Sequence, residues 1–333
     1  MNINICFATD NNYIKPLSTS LYSILSNTDK NDILNVFILE DNVSSESKKK
    51  LTDTFNTKNC NIKFINIDTA LTDNFPKYKI TPHITKAGYL RLFIAEYLKD
   101  IDKIIYLDCD TIVLSNIRDL FITDIENYYI AATEDAGHIF NIRFYSRFYE
   151  TFNPYINAGV LLINLKLWRK DNLSFKLTDA IEKNKENFLL GDQDAINFVC
   201  KNKIKIMDFS YNLQTSSLDI KKLLPNNIKN NLKESLKKPH IIHYSANKKP
   251  WNCYTHLKKY YLKYEFNNPF EQQNFLSFKI KHIKIFIYYV LKRIFSFLRF
   301  LLSPIVKGYR QDNHIQIEFF KKLKFTICTG TNK

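Results

Sequence analysis

Asp108 and Asp110 stand one residue apart at the end of the apolar run Lys103-Ile-Ile-Tyr-Leu107. In extended backbone, residues i and i+2 point to the same side. Two carboxylates on one side form a hard oxygen site for Mg²⁺ or Mn²⁺. Their other use is as a shared-proton acid and base. Asp-X-Asp is common in loops and marks nothing alone; its weight comes from the strand ahead of it and from its company. His243 closes the apolar run Ile241-Ile242-His243 and could add an imidazole ligand. Lys248 and Lys249 follow, before Pro250-Trp251. A lysine beside a metal-bound diphosphate would add neutralising charge. Outside that context, His243 is a structural histidine and the lysines are solvated loop residues.

These residues need strands and helices to position them. Ile3 to Ala8, Asn35 to Leu39, Asn61 to Ile67, Lys103 to Leu107, Tyr128 to Ala132 and Ala158 to Leu165 are short apolar runs with strand character. Between them, Leu17, Leu21, Ile24 and Leu25 recur at helical spacing, and Ser44 opens a second helix, with Ser47 where a capping box would have Glu. Residues 87–99 predict an amphipathic helix with Tyr89, Leu92, Phe93 and Leu98 on its apolar face. Further helical patterns cover about 174–187 and 192–201. Alternating strands and helices predict an α/β fold: a mostly parallel sheet flanked by helices on both sides. Ligands bind such sheets beyond the carboxyl ends of the strands. Asp10, Asp108, Asp110, Asp135, Asn157 and His243 all sit where apolar runs stop.

Composition narrows the classes. The 333 residues are 45% hydrophobic and 24% charged, which excludes wholesale disorder. The six glycines, Gly88, Gly137, Gly159, Gly191, Gly308 and Gly330, are too scattered for a P-loop or a dinucleotide fingerprint. The six cysteines have no CxxC or finger-like spacing and read as reduced, mostly buried thiols. The net charge of +15 is unevenly spread. Residues 251–333 hold 15 basic and 4 acidic residues, a net of +11, whereas residues 1–250 are nearly balanced at +4.

Six segments, in order, carry a resemblance: FATDNNY (Phe7 to Tyr13), HITKAGYLRLFIAEYL (His83 to Leu98), IDKIIYLDCDTIVL (Ile101 to Leu114), YINAGVLLINLKLWR (Tyr155 to Arg169), GDQDAIN (Gly191 to Asn197) and HYSANKKPW (His243 to Trp251). Together the chain resembles glycosyltransferase family 8, in particular the bacterial lipopolysaccharide galactosyl- and glucosyltransferases, and glycogenin more distantly. The resemblance implies a catalytic domain of the GT-A type over residues 1–255, binding a nucleotide-diphosphosugar without a glycine loop. It implies a UDP-galactose or UDP-glucose donor and a saccharide acceptor. Ala8, Asp10 and Asn12 would then hold the uracil and ribose end. Asp108 and Asp110, with Cys109 between them, and His243 would ligate Mn²⁺, or Mg²⁺. Lys249 would reach the diphosphate. Arg91, Asp135, Asn157, Ala158 and Asp192 would contact the donor, Gln193 would lie near the anomeric carbon, and His83 would fall on the acceptor side. The catalytic set implied is Gln193, Asp192 and Asp135.

Family members retain anomeric configuration. A two-carboxylate retaining scheme needs an Asp or Glu nucleophile, and Gln193 is a poor one. Front-face substitution is the favoured reading, with a glycosyl-enzyme on Asp192 or Asp194 as its refutation. One departure is Ala246, where the family often has glycine near the phosphates. Its amide serves there only if φ is negative or strain is tolerated.

Residues 256–333 predict a basic, aromatic, helical extension. Over residues 279–302, Lys281, Lys284, Lys292 and Arg299 fall within about 80° of one another. Ile283, Ile287, Val290, Ile294, Leu298 and Leu301 lie opposite. The charges interrupt any span of about 20 apolar residues, so a helix lying in an anionic membrane interface is expected, through residues 279–310. The acceptor would be a lipid-linked glycan such as a lipopolysaccharide or lipooligosaccharide core. The N-terminal MNINICFATDNNY lacks a charged n-region followed by a long apolar run. The expected location is the inner face of the plasma membrane, peripherally bound. Rival readings are a basic nucleic-acid-binding protein and a protein of the same fold that binds sugar nucleotides without transfer. The near-balanced body argues against the first, and the Asp108, Asp110 and His243 set argues against the second.

Overall fold

The computed structural model describes residues 1–72, 74–76, 86–138, 154–272, 274–302, 306–311, 314–319 and 323–328. They divide into two compact units, Met1–Gln273 and Asn274–Lys333.

The first unit is built from ten strands: β1 (Asn2–Asp10), β2 (Ile33–Asp41), β3 (Cys60–Asn66), β4 (Lys103–Leu107), β5 (Thr111–Val113), β6 (Ile130–Ala132), β7 (Val160–Asn164), β8 (Ile204–Ile206), β9 (Leu213–Gln214) and β10 (Ile241–His243). Seven form a central sheet in the order β3-β2-β1-β4-β7-β6-β8, and β5-β10-β9 form a small second sheet. Four pairings of the large sheet are parallel. Those that β7 makes with β4 and β6 are antiparallel. The expected mostly parallel sheet is present, with β7 as its reversed strand.

The near-continuous apolar runs are explained by burial on both faces. Along β1, Ile3, Ile5 and Phe7 enter one core while Cys6 enters the other. Ile105 and Leu107 of β4 oppose Ile104 and Tyr106 in the same way. One core is closed by Leu17, Leu21 and Ile24 of the helix Ile14–Asn27 and by Leu51 and Phe55 of the helix Ser45–Phe55. The other is closed by Leu177 and Ile181 of the helix Leu173–Lys183 and by Ile196 of the helix Asp192–Cys200. Each such side chain contributes about 1.5–3 kcal/mol when fully buried. Ser44 caps the helix it was expected to open, its Oγ accepting from Ser47 N at 3.1 Å without a glutamate.

Two elements differ from expectation. Residues Lys86–Phe93 form a 3-10 helix followed by one α-turn, Ile94–Tyr97, in place of an amphipathic helix over 87–99. Tyr89 through Ala95 are all buried, so the segment threads the core and has no solvent face to set a helical period. The first compact unit also runs past residue 255. The helix Lys258–Asn267 packs Tyr261 and Tyr264 against Ile112, Ile242 and Tyr244.

The second unit begins with the helix Phe275–Leu302. It continues as strands β11 (Val306–Gln311), β12 (His314–Phe319) and β13 (Leu323–Cys328), paired antiparallel. The expected helical extension is therefore helical only to Leu302. The sequence of β12, His-Ile-Gln-Ile-Glu-Phe, alternates with the period of two that suits a strand. Among the described residues, no helix is long and apolar enough to cross a membrane.

Candidate active site

A cavity of about 320 Å³ opens at the carboxyl edge of the parallel strands, the size of a small-molecule site. Its walls include Ala8 and Asp10 from the end of β1, Asp108, Cys109 and Asp110 after β4, and Asp135 after β6. Asn157 and Ala158 belong to the same edge for the opposite reason: they precede β7, which runs antiparallel. Arg91, Asp192, Gln193, His243 and Lys249, also predicted, line the same cavity. Asn12 is exposed and outside the wall; its backbone N–H donates to Asp10 Oδ1 at 2.9 Å. His83 lies outside the described residues.

The carboxylate pair meets the histidine through strand register. The chain passes from β4 through Asp108-Cys109-Asp110 into β5, which pairs antiparallel with β10. That register sets Thr111 opposite His243 and brings His243 beside Asp110. The Asp108 Oδ1 atom is held back by Arg91 Nη2 at 2.9 Å and the Tyr106 hydroxyl at 3.0 Å. Asp108 Oδ2 turns toward His243 Nε2 at 3.7 Å. Asp110 Oδ2 pairs with Lys249 Nζ, while Asp110 Oδ1 lies 3.3 Å from His243 Nε2. One ligand atom from each of the three residues therefore converges, all within 4.8 Å of one another. Burial opposes the Asp110 charge, but Lys249 and His243 outweigh it and hold the carboxyl well below the usual carboxylate range. Two carboxylate oxygens and an imidazole nitrogen, each residue's other polar atom already engaged, fit a divalent cation such as Mn²⁺ or Mg²⁺.

Cys109 points away, its Sγ near Ala8 O at 3.3 Å; burial pushes its thiol up, out of nucleophilic range. Arg91 is a brace. Its guanidinium bonds Ala158 O at 2.6 Å, pairs Asp192 Oδ2 at 2.8 Å and lies 4.4 Å over the Tyr106 ring. Gln193 is held at both ends of its amide. Its Oε1 accepts from Ala158 N at 3.0 Å, and its Nε2 donates to Asp135 Oδ2 at 3.1 Å. Asp194 is fully buried and accepts from Leu189 N, Leu190 N and the Tyr155 hydroxyl. That carboxylate holds the start of its helix and is committed away from the cavity.

Several wall residues were not foreseen. Tyr13 lines the cavity next to Asp10, braced edge-to-face by Trp251 at 5.8 Å. Asp10 caps the turn that carries it, accepting from Tyr13 N at 3.1 Å. FATDNNY contained that signal, since an Asp followed by a short polar turn presents the next aromatic to the strand end. Ala246 lines the wall with φ of +60°, so the left-handed backbone that suits glycine is adopted here by alanine.

An α/β domain with Asp108, Asp110 and His243 gathered in one cavity at the strand ends has the arrangement of a glycosyltransferase of the GT-A type. Residues 4–255 match the profile of glycosyl transferase family 8. A putative glycosyltransferase of Haemophilus influenzae is 33% identical over 252 residues, covering 75% of this chain and 73% of that one. General stress protein A of Bacillus subtilis is 31% identical over 259 residues, covering 76% and 88%. The galactosyltransferase LgtC, solved with donor and acceptor sugar analogs, shares the fold at a TM-score of 0.71 and 22% identity, over 84% of this chain and all of that one. The bifunctional WbbM glycosyltransferase has the same TM-score, 0.71, at 23% identity; the match spans 84% of this chain and 51% of that one. The chain belongs to glycosyltransferase family 8. It is a glycosyltransferase, a class that takes a nucleotide-sugar donor and a saccharide acceptor.

Proposed function

We propose that this chain is a retaining, Mn²⁺-dependent hexosyltransferase that moves galactose or glucose from a UDP-sugar to a hydroxyl of a lipid-linked saccharide. One observation carries the reading: Asp108 Oδ2, Asp110 Oδ1 and His243 Nε2 converge beside Lys249 in a single cavity. A divalent cation held there would neutralise charge on the donor diphosphate as the glycosidic bond breaks. Lys249, fixed by Asp110 and by Tyr244 O at 2.9 Å, adds a second positive charge on the leaving side. Tyr13 offers a planar face for the uracil, and Ala8 and Asp10 border the ribose. Asp135, Asn157 and Asp192 supply acceptors and donors for sugar hydroxyls.

Gln193, locked by Ala158 and Asp135, would lie near the anomeric carbon and, as an amide, is a poor nucleophile. The step is front-face substitution. The bond from the anomeric carbon to the UDP oxygen breaks, the acceptor oxygen bonds to that carbon on the same face, and the acceptor proton passes to the departing diphosphate. The engagement of Asp194 and the ion pair of Asp192 with Arg91 favour this over a covalent carboxylate intermediate.

The test is donor hydrolysis across UDP-sugars with Mn²⁺, Mg²⁺ or EDTA, beside Asp108→Ala and Asp110→Ala. Hydrolysis of one UDP-hexose, dependent on the cation and on both aspartates, is expected. Hydrolysis unaffected by EDTA would defeat the cation reading.

The helix Phe275–Leu302 would hold the enzyme at an anionic membrane surface. Ile283, Ile287 and Leu298, on the stripe opposite the basic one, are 53%, 50% and 48% exposed, and Lys281, Lys284 and Lys292 are exposed too. Flotation with phosphatidylglycerol vesicles should be lost in a Lys281→Glu, Lys284→Glu, Lys292→Glu variant whose donor hydrolysis is unchanged. Undiminished flotation would remove the membrane assignment.

A further inference from the structure

Asn212 belongs to none of the segments that carry the family resemblance, yet it is fully buried behind the cation site. Its Oδ1 lies 3.0 Å from His243 Nδ1. Its Nδ2 donates to Asn157 Oδ1 at 2.9 Å. Asn157 Oδ1 also accepts from Gly159 N at 3.0 Å, and Asn157 Nδ2 donates to Asp135 Oδ2 at 3.2 Å. Asn157 therefore presents an oxygen to Asn212, and Asn212 must answer with its amide hydrogens. Its own oxygen is left facing the imidazole.

An amide oxygen only accepts, so the proton of neutral His243 belongs on Nδ1. With a cation in place the lone pair lies on Nε2, the atom 3.3 Å from Asp110 Oδ1. With the opposite tautomer, Nδ1 and Asn212 Oδ1 would set two lone pairs against each other, and Nε2 would offer a hydrogen where a cation needs an electron pair. The network runs on from Asn157 to Asp135 and Gln193 on the far wall of the cavity.

We propose that Asn212 is the positioning residue that selects the Nε2-ligating tautomer of His243 and locks its ring to the Asn157–Asp135–Gln193 network. The inference rests on the cation reading of Asp108, Asp110 and His243 and deepens it. Partners of this kind, one step behind a ligating histidine, typically govern metal affinity by about 10–100-fold.

The experiment titrates the full chain with Mn²⁺ alone and follows the free-ion electron paramagnetic resonance signal. Asn212→Leu keeps the approximate volume and removes both hydrogen bonds; its Mn²⁺ affinity should fall by about 10–100-fold. Asn212→Asp restores an acceptor for Nδ1–H without the donor to Asn157, and should recover most of that affinity. Wild-type affinity in Asn212→Leu, or equal losses in the two variants, would overturn the proposal. ¹⁵N spectra of the wild type saturated with Mg²⁺, a diamagnetic cation, with His243→Asn for assignment, give a readout that needs no folded Asn212 variant. An Nδ1–H signature supports the proposal, and an Nε2–H signature overturns it. Failure of the wild type to bind Mn²⁺ would bring down the cation reading and this inference together, whereas binding that Asn212→Leu leaves unchanged overturns the inference alone.

Discussion

Gly159 lies so close to the His243 ring that a Cβ at this position would stand 2.2 Å from His243 Cε1. The same atom would be 2.8 Å from Asp108 Oδ2. The glycine is there for close approach, because no side chain fits between β7 and the converging ligands. Gly159→Ala should displace His243, weaken Mn²⁺ binding by at least tenfold and cost about 1–3 kcal/mol of stability. Calorimetric titration and urea unfolding check this; wild-type values in both would mean that the ring has room to withdraw.

The buried pair of Lys249 and Asp110 sets up a competition between the ammonium and a cation for one carboxylate. Removing one partner of a buried pair typically costs about 3–5 kcal/mol. Lys249→Met should therefore be markedly destabilised without metal, and Mn²⁺ should raise its Tm by more than it raises that of the wild type. Transfer should slow by about 100-fold or more, because the charge on the leaving side is gone. Equal Mn²⁺-induced Tm shifts would show that Lys249 and the cation act on Asp110 independently.

Ala246 holds φ of +60°, a conformation that costs a non-glycine residue about 1–2 kcal/mol. Glycine there would relieve that strain but lose about 0.5–1 kcal/mol more chain entropy on folding. The expected result for Ala246→Gly is a gain of about 0–1.5 kcal/mol, and for Ala246→Val a clear loss. Urea midpoints decide between them. A destabilised glycine variant would mean that the alanine methyl packs usefully against the cavity wall.

Asp32 is buried, and the hydrogen bonds from Arg118, against that burial, hold its carboxyl below the usual carboxylate range. A carboxylate depressed in the folded state contributes stability above its ordinary pKa of about 4 and loses it as pH falls further. Asp32→Asn should thus be less stable than the wild type at neutral pH. The gap should narrow as both are taken from about pH 5 to pH 3. Melting curves across that range test the sign, and parallel profiles would show that the Arg118 pair contributes no linkage.

The sequence by itself determined the class and named most of the residues that line the cavity. Runs such as Lys103–Leu107 are apolar on both faces because two cores bury them, so they were legible as central strands without coordinates. Asp108, Asp110 and His243 were legible as polar residues where apolar runs stop, and the family resemblance added Lys249 to them. Residues 86–97 and 306–328 were misread for opposite reasons. In the first, Tyr89 through Ala95 are all buried, so the apolar spacing that reads as one face of a surface helix marks no face at all; in the second, basic and aromatic composition masked a period of two.

Only the tertiary structure decided which atoms face each other. The pairing of Thr111 with His243 joins residues more than a hundred positions apart, and nothing local in either segment records it. Asn212 was invisible for the same reason, since its type is ordinary and its meaning comes entirely from His243 and Asn157 on either side. The conformation of Ala246 and the closeness of Gly159 to His243 are likewise properties of packed backbone. Residue types and local periodicity specify elements, whereas register and packing specify distances, and the chemistry of this site depends on distances.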